Sequence, residues 1–282
     1  MVAAKQRTDS PSGRYRSTAV TAGMHGQARE LPVALPHGEL RELLPDIFLV
    51  TGTMKMAGRP LTFSRNMTVL RENNSLTLIN SVRLEEHGLR SLEQLGTIDN
   101  VIRLAGFHGT DDPFYKHRYG ARIWAVKGQS YVSGFDADAT PFFQDDELAG
   151  AASQLPVSGS KLFVFRSAKP PEAVMVLLRD GGILISGDSL QNWCAADRYF
   201  NLMARLMMPA MGFVRSHNIG PIWNKVARPA AEDFEGLLAL RFEHVLPAHG
   251  DEVMGNAREL YRPAIEKAIA GALCGSERQL KS

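Results

Sequence analysis

Three short polar turns hold the side chains of this sequence best suited to chemistry. They are Phe107-His108-Gly109-Thr110-Asp111-Asp112, Gly187-Asp188-Ser189 and Pro247-Ala248-His249-Gly250. Together they offer two imidazoles, His108 and His249, and three carboxylates, Asp111, Asp112 and Asp188. Mixed nitrogen and oxygen donors of this kind suit a divalent cation of borderline hardness. Taken singly the signals are weak, because a lone loop His is usually solvated and an Asp after Gly is usually a turn former. Their placement raises them together. Each turn directly follows an apolar run that reads as a buried strand, and strand ends are rigid places from which loops can shape a pocket.

The elements that must position these turns can be read from the pattern. Ile47 to Thr51, Met67 to Arg71 and Leu76 to Asn80 are expected as strands, with Asn73-Asn74 as the turn between the last two. Leu84, Leu89, Leu92 and Leu95 suit a helix ending near Gly96. Asn100 to Leu104 is a buried strand that runs into the His108 turn, followed by a helical turn over Phe114 to Tyr119 and a strand over Ala121 to Ala125. The second half repeats the plan. Lys161 to Phe165, Ala173 to Leu178 and Gly182 to Ser186 are strands, with an Asp180-Gly181 hairpin before the last. Ala196 to Val226 is expected to be helical, interrupted at Pro209, Gly220 and Pro221. Ala231 to Leu240 is a helix, His244 to Pro247 a short strand into the His249 turn, and Asn256 to Leu273 a closing amphipathic helix. Strands followed by a helix, given twice, imply two sheets packed face to face with helices outside.

Bulk properties narrow the function classes. A net charge of +2 removes the electrostatic case for a nucleic-acid partner. No apolar run approaches the ~20 residues needed to span a bilayer, so no transmembrane segment is expected. Cys194 and Cys274 form no disulfide framework, and a reduced cytoplasmic protein is the simplest reading. Residues 1–40 are rich in Ser, Gly and Arg without periodicity and read as a disordered arm, an organellar transit peptide being the alternative; residues 41–282 form the domain.

At this point the chain resembles the metallo-β-lactamase-fold superfamily, over roughly residues 46–255. Gly181 to Leu190, Gly-Gly-Ile-Leu-Ile-Ser-Gly-Asp-Ser-Leu, resembles the segment ending in that family's metal-bridging Asp. Phe242 to Gly250, Phe-Glu-His-Val-Leu-Pro-Ala-His-Gly, resembles the segment carrying its final metal His. The first family motif, His-x-His-x-Asp-His, is eroded: with His108 on the first His, Thr110 falls on the second, Asp112 on the Asp and Pro113 on the last. The mid-chain His falls near Ala168 and is absent. The resemblance implies an α/β (α+β) fold, an αβ/βα four-layer sandwich, and a metal set of His108, Asp112, Asp188 and His249. It implies at most one tightly held divalent ion, zinc first with manganese and iron as alternatives, and none under a degenerate reading. His117, His87 and Asp111 are the nearby replacement ligands, and Lys169 with Glu172 stands where the mid-chain metal loop belongs.

The implied activity is hydrolysis of a small ester, lactone, thioester or phosphoester, with a metal-bound hydroxide as nucleophile and Asp112 or Asp111 orienting it. The alternative is a member that keeps the fold, has lost catalysis and serves as a binding or scaffolding protein. A Met-rich insert at about 193–228, with Met203, Met207, Met208 and Met211, reads either as helices packed on the core or on a second subunit, or as a lid for an apolar substrate. A homo-oligomer is compatible with such a face.

Overall fold

The computed structural model describes residues 31–56, 58–129, 140–141 and 155–279. The expected N-terminal arm lies outside the described residues up to residue 30. Past that point Pro36 already accepts a hydrogen bond from the Thr53 N–H, and His37 bridges Gly52.

Seven strands form the first sheet in chain order: β1 (Arg41–Leu44), β2 (Ile47–Lys55), β3 (Thr62–Glu72), β4 (Ser75–Ile79), β5 (Thr97–Arg103), β6 (Arg122–Ala125) and β7 (Thr140–Pro141). The first four pair antiparallel, and Asn73, at φ 56°, makes the β3–β4 hairpin. From β4 onward the pairing is parallel, with α1 (Glu86–Leu95) and α2 (Asp112–Tyr119) as the crossovers. The second sheet contains β8 (Ser160–Phe165), β9 (Glu172–Leu177), β10 (Ile183–Ser186), β13 (His244–Pro247) and β14 (Val253–Met254), in spatial order β14-β13-β10-β9-β8. Between β10 and its parallel neighbour β13 lie a small ribbon of β11 (Leu190–Gln191) with β12 (Asn218–Ile219), and three helices: α3 (Leu202–Ala210), α4 (Pro221–Ala227) and α5 (Ala231–Ala239). The long helix α6 (Ala257–Gln279) follows β14.

Side-chain alternation assigns the layers. Along β9, Ala173, Met175 and Leu177 join a cluster with Ile79, Ile102 and Leu104 of the first sheet, so this is the contact between the sheets. Val174 and Val176 point the other way, into a cluster with Trp223, Phe234, Leu237, Tyr261 and Ile265 from α4, α5 and α6. On the outer face of the first sheet, Leu76, Leu78 and Val101 meet Leu89 and Leu92 of α1 and Phe114 and Tyr115 of α2. Strands buried on both faces are apolar at nearly every position, which is why they were legible as unbroken runs. The result is helix, sheet, sheet, helix, the expected four-layer sandwich.

Two differences from the sequence reading concern local structure. The segment Ala196 to Val226 is helical only over Leu202–Ala210 and Pro221–Ala227: the expected break at Gly220 and Pro221 falls where α4 begins, whereas Pro209 lies inside α3 and residues 211–220 form turns and β12 rather than helix. Strand β1 was missed because Arg-Glu-Leu-Leu at a sheet edge has neither alternation nor a buried run.

Candidate metal centre

All three polar turns leave the C-terminal ends of parallel strands, the usual place for a site in α/β architecture. His108 follows β5, Asp188 follows β10 and His249 follows β13. The register pairs Ser186 with Pro247, so Asp188 and His249 each stand two residues beyond a paired position and reach the same height. Asn80, at φ 55°, joins the two sheets at this edge: its side-chain amide donates to Ser186 O (3.0 Å), and its Oδ1 accepts the Leu104 N–H (3.2 Å). Gly187 permits the approach, since a Cβ there would lie 2.4 Å from the Ala105 Cβ.

The outcome is a buried triad. The His108 and His249 Nε2 atoms are 3.2 Å apart, His108 Nε2 is 3.4 Å from one Asp188 carboxylate oxygen, and His249 Nε2 is 3.3 Å from the other. Charge-assisted hydrogen bonds run at about 2.7–2.9 Å, so these separations are too long for a tight proton bridge. A tetrahedral ion with bonds of about 2.0–2.1 Å to such donors has ligand–ligand edges of about 3.3–3.4 Å. The three separations are of that order, the two imidazoles approaching different oxygens of the Asp188 carboxylate. His249 Nδ1 lies 3.2 Å from Ser64 O, so this nitrogen carries the hydrogen and Nε2 presents its lone pair to the triad. The residues therefore fit one divalent ion on two nitrogens and one carboxylate.

Electrostatics agree. Burial raises the Asp188 carboxyl, but the imidazoles of His108 and His249 outweigh it and hold the group below the usual carboxylate range. Burial pushes the His249 imidazole down despite Asp188, favouring the neutral ring that a metal needs. Next to the triad, fully buried Glu172 has its carboxyl raised well above the ordinary range by burial and then by the Asp188 charge. Its Oε1 accepts the Ser189 N–H at 2.5 Å. Glu172 thus braces the Asp188 turn.

The remaining expected site residues are engaged elsewhere. Asp112 is fully buried at the start of α2, where its Oδ1 accepts the Ser81 hydroxyl at 2.6 Å, and it is not part of the triad. Asp111 pairs with the buried Arg65 guanidinium and accepts the Arg83 N–H at 2.6 Å. His117 is exposed on α2, and Lys169 is also exposed. His87 stacks on His37 at 4.7 Å between centroids; with Glu85 these form a second cluster of metal-binding residue types. His37 Nε2 there accepts the Glu85 N–H at 2.9 Å, so its lone pair is already used.

Several contributors were not anticipated. Asn66 donates to Pro247 O and Gly250 O on either side of His249, and Trp193 and Phe63 wall the imidazole at centroid distances of 5.0 and 6.0 Å. The available signal was Ser64-Arg65-Asn66, three buried polar residues in the middle of a strand otherwise lined by Phe63, Met67 and Val69. Buried polar groups in a strand interior need designated partners.

Comparison with solved structures returns metallo-β-lactamases. The Erythrobacter litoralis enzyme aligns with a TM-score of 0.51 at 13% identity, over 84% of this chain and 94% of its own. FIM-1 from Pseudomonas aeruginosa, in its mono-zinc form, gives 0.51 at 12% identity over 85% and 99%. The Hirschia baltica enzyme gives 0.52 at 13% over 82% and 97%. No family model matches the chain, and no curated protein matches it. Identity this low speaks to architecture alone.

Proposed function

We propose that this chain, which has the metallo-β-lactamase fold, is a metal-dependent hydrolase of a small ester, lactone, thioester or phosphoester, using one divalent ion held by His108, Asp188 and His249. The observation that carries the reading is the buried convergence of two imidazole Nε2 atoms, 3.2 Å apart, on the two oxygens of the Asp188 carboxylate at 3.3 and 3.4 Å. Zinc is the first choice for two imidazoles and a carboxylate, with manganese and iron as alternatives. An ion there supplies Lewis acidity, lowering the pKa of water toward about 7 and polarising a carbonyl or phosphoryl oxygen.

The chain's own residues do the rest. His249 is fixed in its tautomer by Ser64 O, and Asn66 holds the turn that carries it. Trp193 and Phe63 exclude water from one side of that ring. The Asp188 side chain, 13% exposed against 2% and 3% for the two histidines, is the least enclosed member of the triad. Asp111 is already paired with Arg65, and Asp112 accepts the Ser81 hydroxyl. The two free, exposed cysteines, Cys194 and Cys274, fit a reducing compartment, and a cytoplasmic location is part of the proposal. Among the described residues no helix is long and apolar enough to cross a membrane.

One observation favours a second reading, that of a binding protein with a structural ion: the two histidines are almost sealed from solvent. Elemental analysis coupled to turnover separates the two. The hydrolase reading expects about one ion per chain, lost in Asp188→Ala, and metal-dependent hydrolysis of chromogenic esters or phosphodiesters that disappears with the ion. Bound metal without turnover across those substrates selects the structural role. Protein that takes up no metal at any pH or loading ends both.

A further inference from the structure

A broad groove lies away from the triad. It encloses about 950 Å³ between the end of α3, the start of α4 and one face of α6, and none of the three proposed ligands lines it. Its basic residues are Arg215, Arg228 and Lys267, and among the described residues no Asp or Glu joins them. Elsewhere in the chain arginines are commonly paired, as in Arg41 with Glu252, Arg118 with Glu86 and Arg262 with Glu259. The carboxylate nearest in sequence to Lys267 is Glu266, which faces Arg262 instead. Three cationic side chains lining one concavity, with no carboxylate among its lining residues, favour an anion there.

Apart from Asn218 and Asn224, the rest of the groove is lined by small or apolar residues. Ala264 and Ala268 lie one turn apart on α6, and Met211, Ile219 and Pro221 supply the opposite side. Cations on an apolar trough complement a molecule with an anionic head and a hydrocarbon body, and the volume is at the upper end of small-molecule sites.

The geometry points to a second binding site, in which this groove takes a single-chain anionic amphiphile. The carboxylate or phosphate head sits among Arg215, Arg228 and Lys267, and the acyl chain lies along Ala264, Ala268 and Met211. The site is independent of the proposed metal chemistry. Its wall does touch the triad's support, since Gly220, between the lining residues Ile219 and Pro221, donates its N–H to Ser189 O.

The test is calorimetric titration of the full chain with decanoate and with decyl phosphate, both below their micelle concentrations, using 1-decanol and inorganic phosphate as controls. Saturable binding of the two amphiphiles is expected, at least tenfold tighter than either control. The triple variant Arg215→Gln, Arg228→Gln, Lys267→Gln should weaken binding tenfold or more at unchanged melting temperature and metal content. Gly271→Leu provides a second, uncharged block: a Cβ at Gly271 meets nothing within 4 Å, so the helix tolerates the side chain while it intrudes on the groove. Wild-type affinity in both variants overturns the site. So does equal binding of inorganic phosphate, which would mean an anion site only. Association with anionic phospholipid vesicles but not with monomeric amphiphile overturns it in favour of a membrane-facing surface.

Discussion

Asn66 brackets His249. Its side-chain amide donates to Pro247 O at 2.9 Å and to Gly250 O at 2.6 Å, while its backbone N–H donates to Ala248 O at 2.8 Å. Thr51 Oγ1 donates to Asn66 Oδ1 at 2.7 Å and so fixes which end of the amide faces the turn. The first sheet thereby grips a turn that belongs to the second, and the imidazole's position depends on that grip.

Asn66→Asp keeps the volume and replaces the donating end with an acceptor facing two carbonyls. Residues that orient a metal ligand typically change metal affinity 10–100-fold when mutated, and a comparable loss is expected here. Competition against a chromophoric chelator measures it. Unchanged affinity in a folded variant would show that the His249 turn holds its shape without Asn66.

Asp111 gives a contrasting case. It was expected near the chemistry, yet the structure gives it Arg65 and the Arg83 N–H as partners in a buried setting. Removing one member of a buried pair strands the other charge and costs about 3–5 kcal/mol. Asp111→Ala should therefore lower stability by that order in denaturant unfolding, with metal stoichiometry preserved in the folded fraction. A variant of normal stability that has lost only turnover would restore Asp111 to the catalytic role.

These outcomes track what the sequence could express. Strands such as Ala173 to Leu178 and Gly182 to Ser186 were readable because burial on both faces demands apolar residues at every position, and the hairpins because Asn73 and Asp180 adopt positive φ. His108, Asp188 and His249 were readable because each follows a strand end. The direction of Asp112 was not, since its contact with Ser81 depends on how α2 leaves the sheet. Nor was Asn66 readable as a clamp, because its partners lie 181 and 184 residues away. The β11–β12 ribbon is two residues wide on each side, too short for any period to register.

Tyrosine ionisation offers a test of the packing on either side of the sandwich. Burial, and then the Asp111 charge, raises the Tyr115 hydroxyl, which donates to Val82 O at 2.5 Å. Burial likewise raises that of Tyr261. The folded chain keeps both protons where the unfolded chain releases them, near pH 10. Their stabilising contribution is complete below about pH 10 and falls as pH rises, by at most about 1.4 kcal/mol per pH unit for each tyrosine. A spectrophotometric titration should show the more exposed tyrosines ionising first, and a later phase coincident with loss of far-ultraviolet circular dichroism. Complete ionisation near pH 10 in a chain that is still folded would contradict the buried placement of these two rings.

Gly220 links the ribbon to the metal turn in a way a single methyl can probe. Its φ of −55° is open to any L-residue, so backbone strain is not the issue. A Cβ there would lie 2.0 Å from the Asp188 carbonyl oxygen, well inside contact distance and against backbone rather than a side chain that could swing aside. Gly220→Ala must displace either α4 or the Asp188 turn. Because α4 is held by Trp223 in the core cluster with Phe165 and Phe234, the turn is expected to yield. A shift of a few tenths of an ångström moves the Asp188 carboxylate off the shared edge with His108 and His249. The expected result is a variant that unfolds cooperatively, with metal affinity reduced tenfold or more. Loss of the Trp223 environment by near-ultraviolet circular dichroism, with metal affinity intact, would instead show that α4 gave way and that the metal turn is the stiffer of the two.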